Sequence, residues 1–142
     1  PKLRIAGSSL QRLRERVKSL LRARRGSQLT WLIERLNPVL RGWSSYFKLS
    51  QSKRPVEELD GWVRRLLRNV LWRHWKRPVT RARNLMRLGL PEERAWKSAT
   101  NGRGPWWNAG ALHLRQALPK KRWDALGLVS ILDTITRLSR MA

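Results

Sequence analysis

Residues 36–47, Leu-Asn-Pro-Val-Leu-Arg-Gly-Trp-Ser-Ser-Tyr-Phe, constrain the fold more tightly than any other stretch of the chain. Val39, Leu40, Trp43, Tyr46 and Phe47 recur at helical spacing, so a helix here has one apolar face that must be covered. Asn37 carries the side chain of an N-cap, and Pro38 suits the first helical position, where its missing N–H costs nothing. A new helix is therefore predicted to begin at this pair. Gly42 lies inside that helix at a cost of ~1 kcal/mol against Ala. A glycine so placed predicts that another backbone comes close.

The rest of the chain repeats the pattern. Ser8 or Ser9 is expected to cap a helix running to about Arg24 and ended by Gly26. Leu10, Leu13, Val17, Leu20 and Leu21 line one of its faces, and Arg12, Arg14, Arg16, Lys18 and Arg22 the other. Ser27 is expected to cap a short second helix with Leu29, Leu32, Ile33 and Leu36 as its stripe, which Pro38 breaks. Residues 49–54 read as a polar connector. Pro55, followed by Glu57 and Glu58, opens the longest helix, to about Lys76. Val56, Leu59, Val63, Leu66, Leu67 and Val70 share one face of it, while Arg65, Arg68, Trp72, Trp75 and Lys76 lie opposite. Those two tryptophans either pack against a later segment or form a surface on which bases stack.

Pro78 ends the long helix. Thr80 is expected to cap a short helix closed by Gly89, and Pro91-Glu92-Glu93 opens another with Ala95, Trp96 and Ala99. Residues 100–108 read as a turn-rich loop ending in two aromatics, with Arg103 suited to a phosphate backbone. The loop lacks the spacing of a P-loop. Ala111–Leu118 and Val129–Leu138 read as helices, with Trp123, Leu126 and Leu128 packing around Gly127. No strand-like alternation persists anywhere. The predicted fold is all-α: a thumb-like three-helix bundle over residues 1–54, then a basic helical region over 55–142.

Charge narrows the function. Thirty-two Lys and Arg face nine Asp and Glu, leaving +23 at pH 7. Such a charge repels itself unless a polyanion is bound. Arg greatly outnumbers Lys, which favours phosphate and base contacts because the guanidinium pairs bidentately and stacks. Nine tryptophans are unusual in one small domain; most are expected in the core, with some left for base stacking. The candidate RNA contacts are Arg12, Arg16, Arg41, Arg65, Arg68, Trp72, Arg73, Lys76, Arg77, Arg81, Arg83 and Arg103. Arg65 and Arg68, read as exposed, are expected to contribute little to stability.

Other chemistries have no residues to carry them. There is no cysteine, hence no disulfide, thiolate nucleophile or thiolate metal site. His74 and His113 belong to no metal-spaced cluster, and His74 falls on the apolar side of the long helix. Glu57, Glu58 and Asp60 form the one acidic cluster, which helix initiation explains. No cofactor or metal is expected, and the chain by itself is not expected to catalyse. No apolar run reaches the ~18 residues that span a bilayer, and the N-terminus has no signal-peptide core. The sequence reads as soluble and intracellular, and its start at Pro1 rather than Met as a piece of a longer protein.

Four blocks then occur in order. They are Leu36-Asn37-Pro38 with Arg41-Gly42-Trp43 and Tyr46-Phe47; Leu59-Asp60-Gly61-Trp62-Val63-Arg64; Leu71-Trp72-Arg73-His74-Trp75-Lys76; and Leu88-Gly89 with Gly104-Pro105-Trp106-Trp107. Together they resemble the maturase-specific (thumb/X) domain of group II intron-encoded reverse transcriptases, over about residues 8–130. The resemblance implies a thumb that holds an RNA/DNA template–primer duplex, and a following region that stabilises folded intron RNA for splicing. It implies palm and fingers in the parent chain, an RNA-directed DNA polymerase, and a bacterial, cytoplasmic, ribonucleoprotein-associated setting. The palm aspartates and the zinc-linked endonuclease of many relatives are missing from this sequence, so only the binding half is implied. The competing expectations are the thumb and C-terminal part of a reverse transcriptase recruited to a task without an intron, a DNA-binding module, or a structural protein of a large ribonucleoprotein.

Overall fold

The computed structural model describes residues 7–23, 28–49 and 53–141. Among them every regular element is helical: α1 (Gly7–Ala23), α2 (Leu29–Phe47), α3 (Arg54–His74), α4 (Pro78–Arg87), α5 (Glu92–Ala99), α6 (Pro105–Gly110), α7 (Leu112–Ala117), α8 (Lys120–Ala125) and α9 (Ile131–Met141). The all-α expectation holds. Contacts divide the chain into two compact units, residues 1–63 with 124–142, and residues 64–123. These units differ in extent from the two functional regions expected at 1–54 and 55–142.

In the first unit, α2 packs against both α1 and α9. The periodic leucines supply the core: Leu13, Val17 and Leu21 of α1, Leu32, Ile33, Leu36, Leu40 and Phe47 of α2, and Val56, Leu59 and Val63 of α3 are buried. Leu128, Ile131 and Ile135 join them from the far end of the chain.

Three expectations are corrected here. Pro38 does not start a helix: α2 runs continuously through it. A proline inside a helix forfeits the bond to the carbonyl four residues earlier, Glu34 here, at ~3 kcal/mol. Pro38 and Glu34 both lie on the exposed side of α2, where water can take up the freed carbonyl. The opposite side buries Leu32, Ile33, Leu36, Leu40 and Phe47 in one line, each stabilising by ~1.5–3 kcal/mol, so burial outweighs the lost bond. Asn37 is accordingly no N-cap. Its Nδ2 donates to the Gly127 carbonyl at 2.8 Å and its Oδ1 accepts from Val129 N at 2.9 Å. Ser8 and Ser9 both sit inside α1 rather than before it. Ser9 is buried and its hydroxyl pairs with the Tyr46 hydroxyl at 2.9 Å. The expected stop at Gly26 and the expected cap at Ser27 lie outside the described residues.

Asp60 is the second long-range tie. Its Oδ1 accepts from Ile131 N, and its Oδ2 from Leu132 N and the Ser130 hydroxyl, at 2.8–2.9 Å. It was expected to serve the start of α3, with Glu57 and Glu58; instead it satisfies the orphan donors at the start of α9.

The second unit is built on α3 from Arg64 onward. Leu67, Val70 and Trp72 are buried with Ala82, Leu85, Leu90, Ala95, Ala99, Ala109, Leu114, Ala117, Leu118 and Trp123. Alanines at the α4–α5 contact let those two helices pack closely. Thr80 lies within α4, whose cap position is Arg77 with Pro78 at the first turn. Gly89 follows with φ 106°, the left-handed conformation that ends a helix. The expected loop at 100–108 already contains the start of α6, because Pro105 follows an extended Gly104.

Candidate nucleic-acid interface

On the first unit, Arg12 and Arg16 of α1 face Pro38, Val39, Gly42, Trp43 and Tyr46 of α2 across an open groove of about 520 Å³. Positions 39, 42, 43 and 46 fall one turn apart, so they share a face of α2. Gly42 is exposed and a Cβ there would meet nothing within 4 Å, so no backbone closes on it. The expected close approach is absent, and the glycine leaves open space instead.

The floor of the groove is aromatic. Trp43 meets the Tyr46 ring edge-on at 5.3 Å and stacks on Phe47 at 5.4 Å. Phe47 is fully buried, Trp43 half-buried, and Tyr46 50% exposed. The stripe Val39, Leu40, Trp43, Tyr46, Phe47 is thus only partly core. The Arg12 guanidinium lies 5.9 Å from the Trp43 centroid, and its Nη2 donates to Ser9 Oγ at 3.2 Å. Arg16 and Arg41 are exposed. An aromatic surface rimmed by guanidinium groups offers stacking to a base and charge to its phosphates.

On the second unit the sequence-predicted cations part company. Arg73, Lys76, Arg77 and Arg83 are exposed around the end of α3 and along α4, and Arg103 is exposed ahead of α6. Arg65, Arg68, Trp72 and Arg81 are taken up by the protein itself. Trp72 is 1% exposed, with His113 at 5.6 Å, Trp75 at 6.3 Å and the Arg81 guanidinium 4.7 Å over its ring. Arg81 also donates through Nε and Nη2 to the Trp72 carbonyl at 3.2 and 3.1 Å. Of the two alternatives for the tryptophans of α3, packing against later segments is the one that Trp72 follows.

Arg68 is buried and its Nε donates to the Ala109 carbonyl at 2.6 Å. Burial first, then repulsion from Arg64, Arg115 and Arg65, lowers its pKa to about 10, so it remains charged at pH 7. Arg65 lies half-buried, 3.9 Å over the Trp106 ring, and donates to the Trp106 carbonyl at 2.8 and 3.3 Å. A Cβ on Gly110 would fall 2.7 Å from that guanidinium, so a side chain there would push Arg65 aside.

Sequence reasoning missed Asn108. Fully buried, it gives Nδ2 to the carbonyls of Arg103 and Gly104 at 3.0 and 2.9 Å. Its Oδ1 accepts from Asn101 Nδ2 at 2.7 Å and pairs with His113 Nε2 at 3.0 Å. The loop before α6 is therefore held rigidly, and with it two outward-facing rings: Trp106 is 41% and Trp107 46% exposed. A polar side chain three residues past a helix-starting proline is too weak a signal to find from sequence.

Among the described residues no group of three or more His, Cys, Asp or Glu could hold a metal, and no helix is long and apolar enough to cross a membrane. The protein is a strongly basic, all-helical domain with aromatic side chains set among its surface arginines. The sequence model of the group II intron maturase-specific domain matches residues 10–89, more than half of the 142-residue chain, and the chain belongs to that family. No curated protein matches it. The match takes in most of α1, all of α2 to α4 and the groove residues; the Gly104–Trp107 block lies beyond it.

Proposed function

We propose that this chain binds folded group II intron RNA, stabilises its splicing-competent form, and serves as the thumb of a reverse transcriptase, holding the template–primer duplex. The observation that carries this reading is the Arg12–Arg16–Trp43–Tyr46 groove, which lies inside the segment matched to the maturase-specific domain. Charge supports it: one cation for each acid still leaves 23 positive charges. Arg41, Arg73, Lys76, Arg77, Arg83 and Arg103, all exposed, extend the phosphate-contacting surface. Phosphate contacts fix position, while the shape of the folded RNA, its unpaired bases and its 2′-hydroxyls supply discrimination.

On this reading splicing chemistry belongs to the RNA. The protein acts by binding the active RNA fold more tightly than competing folds, which shifts the population toward it. Palm and fingers of the parent polymerase are its protein partners. Competition binding against folded intron RNA, an RNA/DNA hybrid and duplex DNA tests the reading. Folded intron RNA and the hybrid should both displace a labelled intron fragment at lower concentration than duplex DNA. Equal displacement by all three overturns it.

A further inference from the structure

A second site lies beyond the segment matched to the family. Arg94, Lys97 and Ser98 of α5, with Asn101 just after it, face Trp107, Ala111, Leu112 and His113 across an open pocket of about 610 Å³. Lys97 is exposed, Arg94 half-buried, and Leu112 and Trp107 are 53% and 46% exposed. The last-turn dipole of α5 attracts Lys97 with or without a ligand, so the cations alone decide nothing.

Trp107 decides it. An indole left nearly half in water costs free energy, and here the exposure is enforced. Asn108, the next residue, is fully buried and bonded to Asn101, Arg103, Gly104 and His113, so the ring cannot fold inward without breaking that network. One side of the ring already carries the Arg103 guanidinium, 5.0 Å from its centroid. His113 stands 6.3 Å away and Trp72 backs His113 from within. The pocket thus joins a rigid aromatic platform to cations within one helix turn of each other. This is the arrangement that binds single strands: a base stacks on the ring and the adjoining phosphates meet the cations. Duplexes keep their base faces stacked inside and offer nothing to Trp107.

The geometry points to a single-stranded RNA site at Trp107, Arg94 and Lys97, separate from the Trp43 groove; it rests on the RNA-binding reading above. An unpaired strand stacks one base on Trp107, with Arg94 and Lys97 on its phosphates. The test uses the full chain, a short oligo(U) carrying 4-thiouridine, and folded intron RNA. Crosslinks should fall in the tryptic peptide 104–115. Trp107→Ala should weaken oligo(U) binding roughly five- to a hundredfold. Lys97→Ala, an exposed change that leaves the fold intact, should make the salt slope shallower by about 0.7. If Trp107→Ala melts early, Lys97→Ala and the crosslink map decide. Wild-type binding to intron RNA with crosslinks elsewhere, and no effect of Lys97→Ala on oligo(U), overturns this site alone. Failure of the wild type to bind any RNA overturns the broader reading as well.

Discussion

Asp60 Oδ1 accepts a hydrogen bond from the backbone N–H of Ile131 at 2.8 Å, across a separation of 71 residues. With Leu132 N and the Ser130 hydroxyl on Oδ2, one buried carboxylate caps α9 from within α3. Asp60→Ala removes all three bonds and leaves two backbone donors unsatisfied. We expect a loss of about 2–3 kcal/mol in chemical denaturation. Asp60→Asn keeps one acceptor oxygen and should lose less.

Arg68 supports the second unit rather than the solvent. Read as exposed cations, Arg65 and Arg68 predict a double alanine variant with an unchanged melt; the structure reverses that. Arg68→Ala leaves the Ala109 carbonyl without its donor and should cost ~1–3 kcal/mol. Relief of the repulsion from Arg64, Arg65 and Arg115 offsets part of this. Thermal melts of the two single variants should assign most of the loss to Arg68.

Trp43 is half-buried, so Trp43→Ala should destabilise by less than the ~3–5 kcal/mol of a wholly buried tryptophan. Its RNA affinity should fall by ~1–3 kcal/mol, as for a lost stacking partner. Trp72→Ala, in contrast, should approach the full core penalty. A Trp43 variant that unfolds as completely as the Trp72 variant would place that ring in the core and remove the floor of the groove.

His113 makes the second unit sensitive to acid through its burial. Asn108 Oδ1 can only accept, so His113 donates through Nε2–H, a bond that both the neutral and the protonated ring can make; the cost of protonation lies elsewhere. Burial, then the nearby Arg94, lowers the pKa of His113. The unfolded chain takes up a proton near the ordinary value of ~6.5, while the folded chain resists it. This contribution to stability is full above that value, is lost as pH falls, and levels off only below the folded pKa. Melting curves from pH ~7 to ~5 should fall more steeply for the wild type than for His113→Gln.

Salt reports on the whole surface. With roughly 6–8 phosphate contacts, RNA affinity should drop by two or more decades between about 50 and 200 mM salt. Filter binding over that range measures the slope, and a flat response removes nucleic acid as the partner.

Periodicity alone made the helices legible, and with them most of the core: Leu13, Val17, Leu36, Leu40, Val56, Leu59 and Val63 all lie where a 3.6-residue repeat puts them. Local rules misplaced Asn37 and Asp60. Each has the side chain of a cap for the nearest helix, yet each serves residues around 127–132, and nothing local marks a partner so distant. The same limit hid the fate of Arg68 and Trp72. A helical wheel shows which residues lie opposite an apolar stripe, but not that another segment covers that side too.

The ties from Asn37 and Asp60 to the last helix also set a clock. Synthesis proceeds at ~5–20 residues per second, so several seconds separate the emergence of Asp60 from that of Ile131. Throughout that interval the carboxylate has none of its three donors, and the surfaces of α2 and α3 that α9 and its approach will cover stay wet. Residues 64–123 emerge meanwhile as one unbroken stretch and can acquire their structure first. The segment that appears earliest is therefore finished last: a nascent chain with residue 123 outside the ribosome and residue 131 still inside has a second unit free to fold while its first still waits.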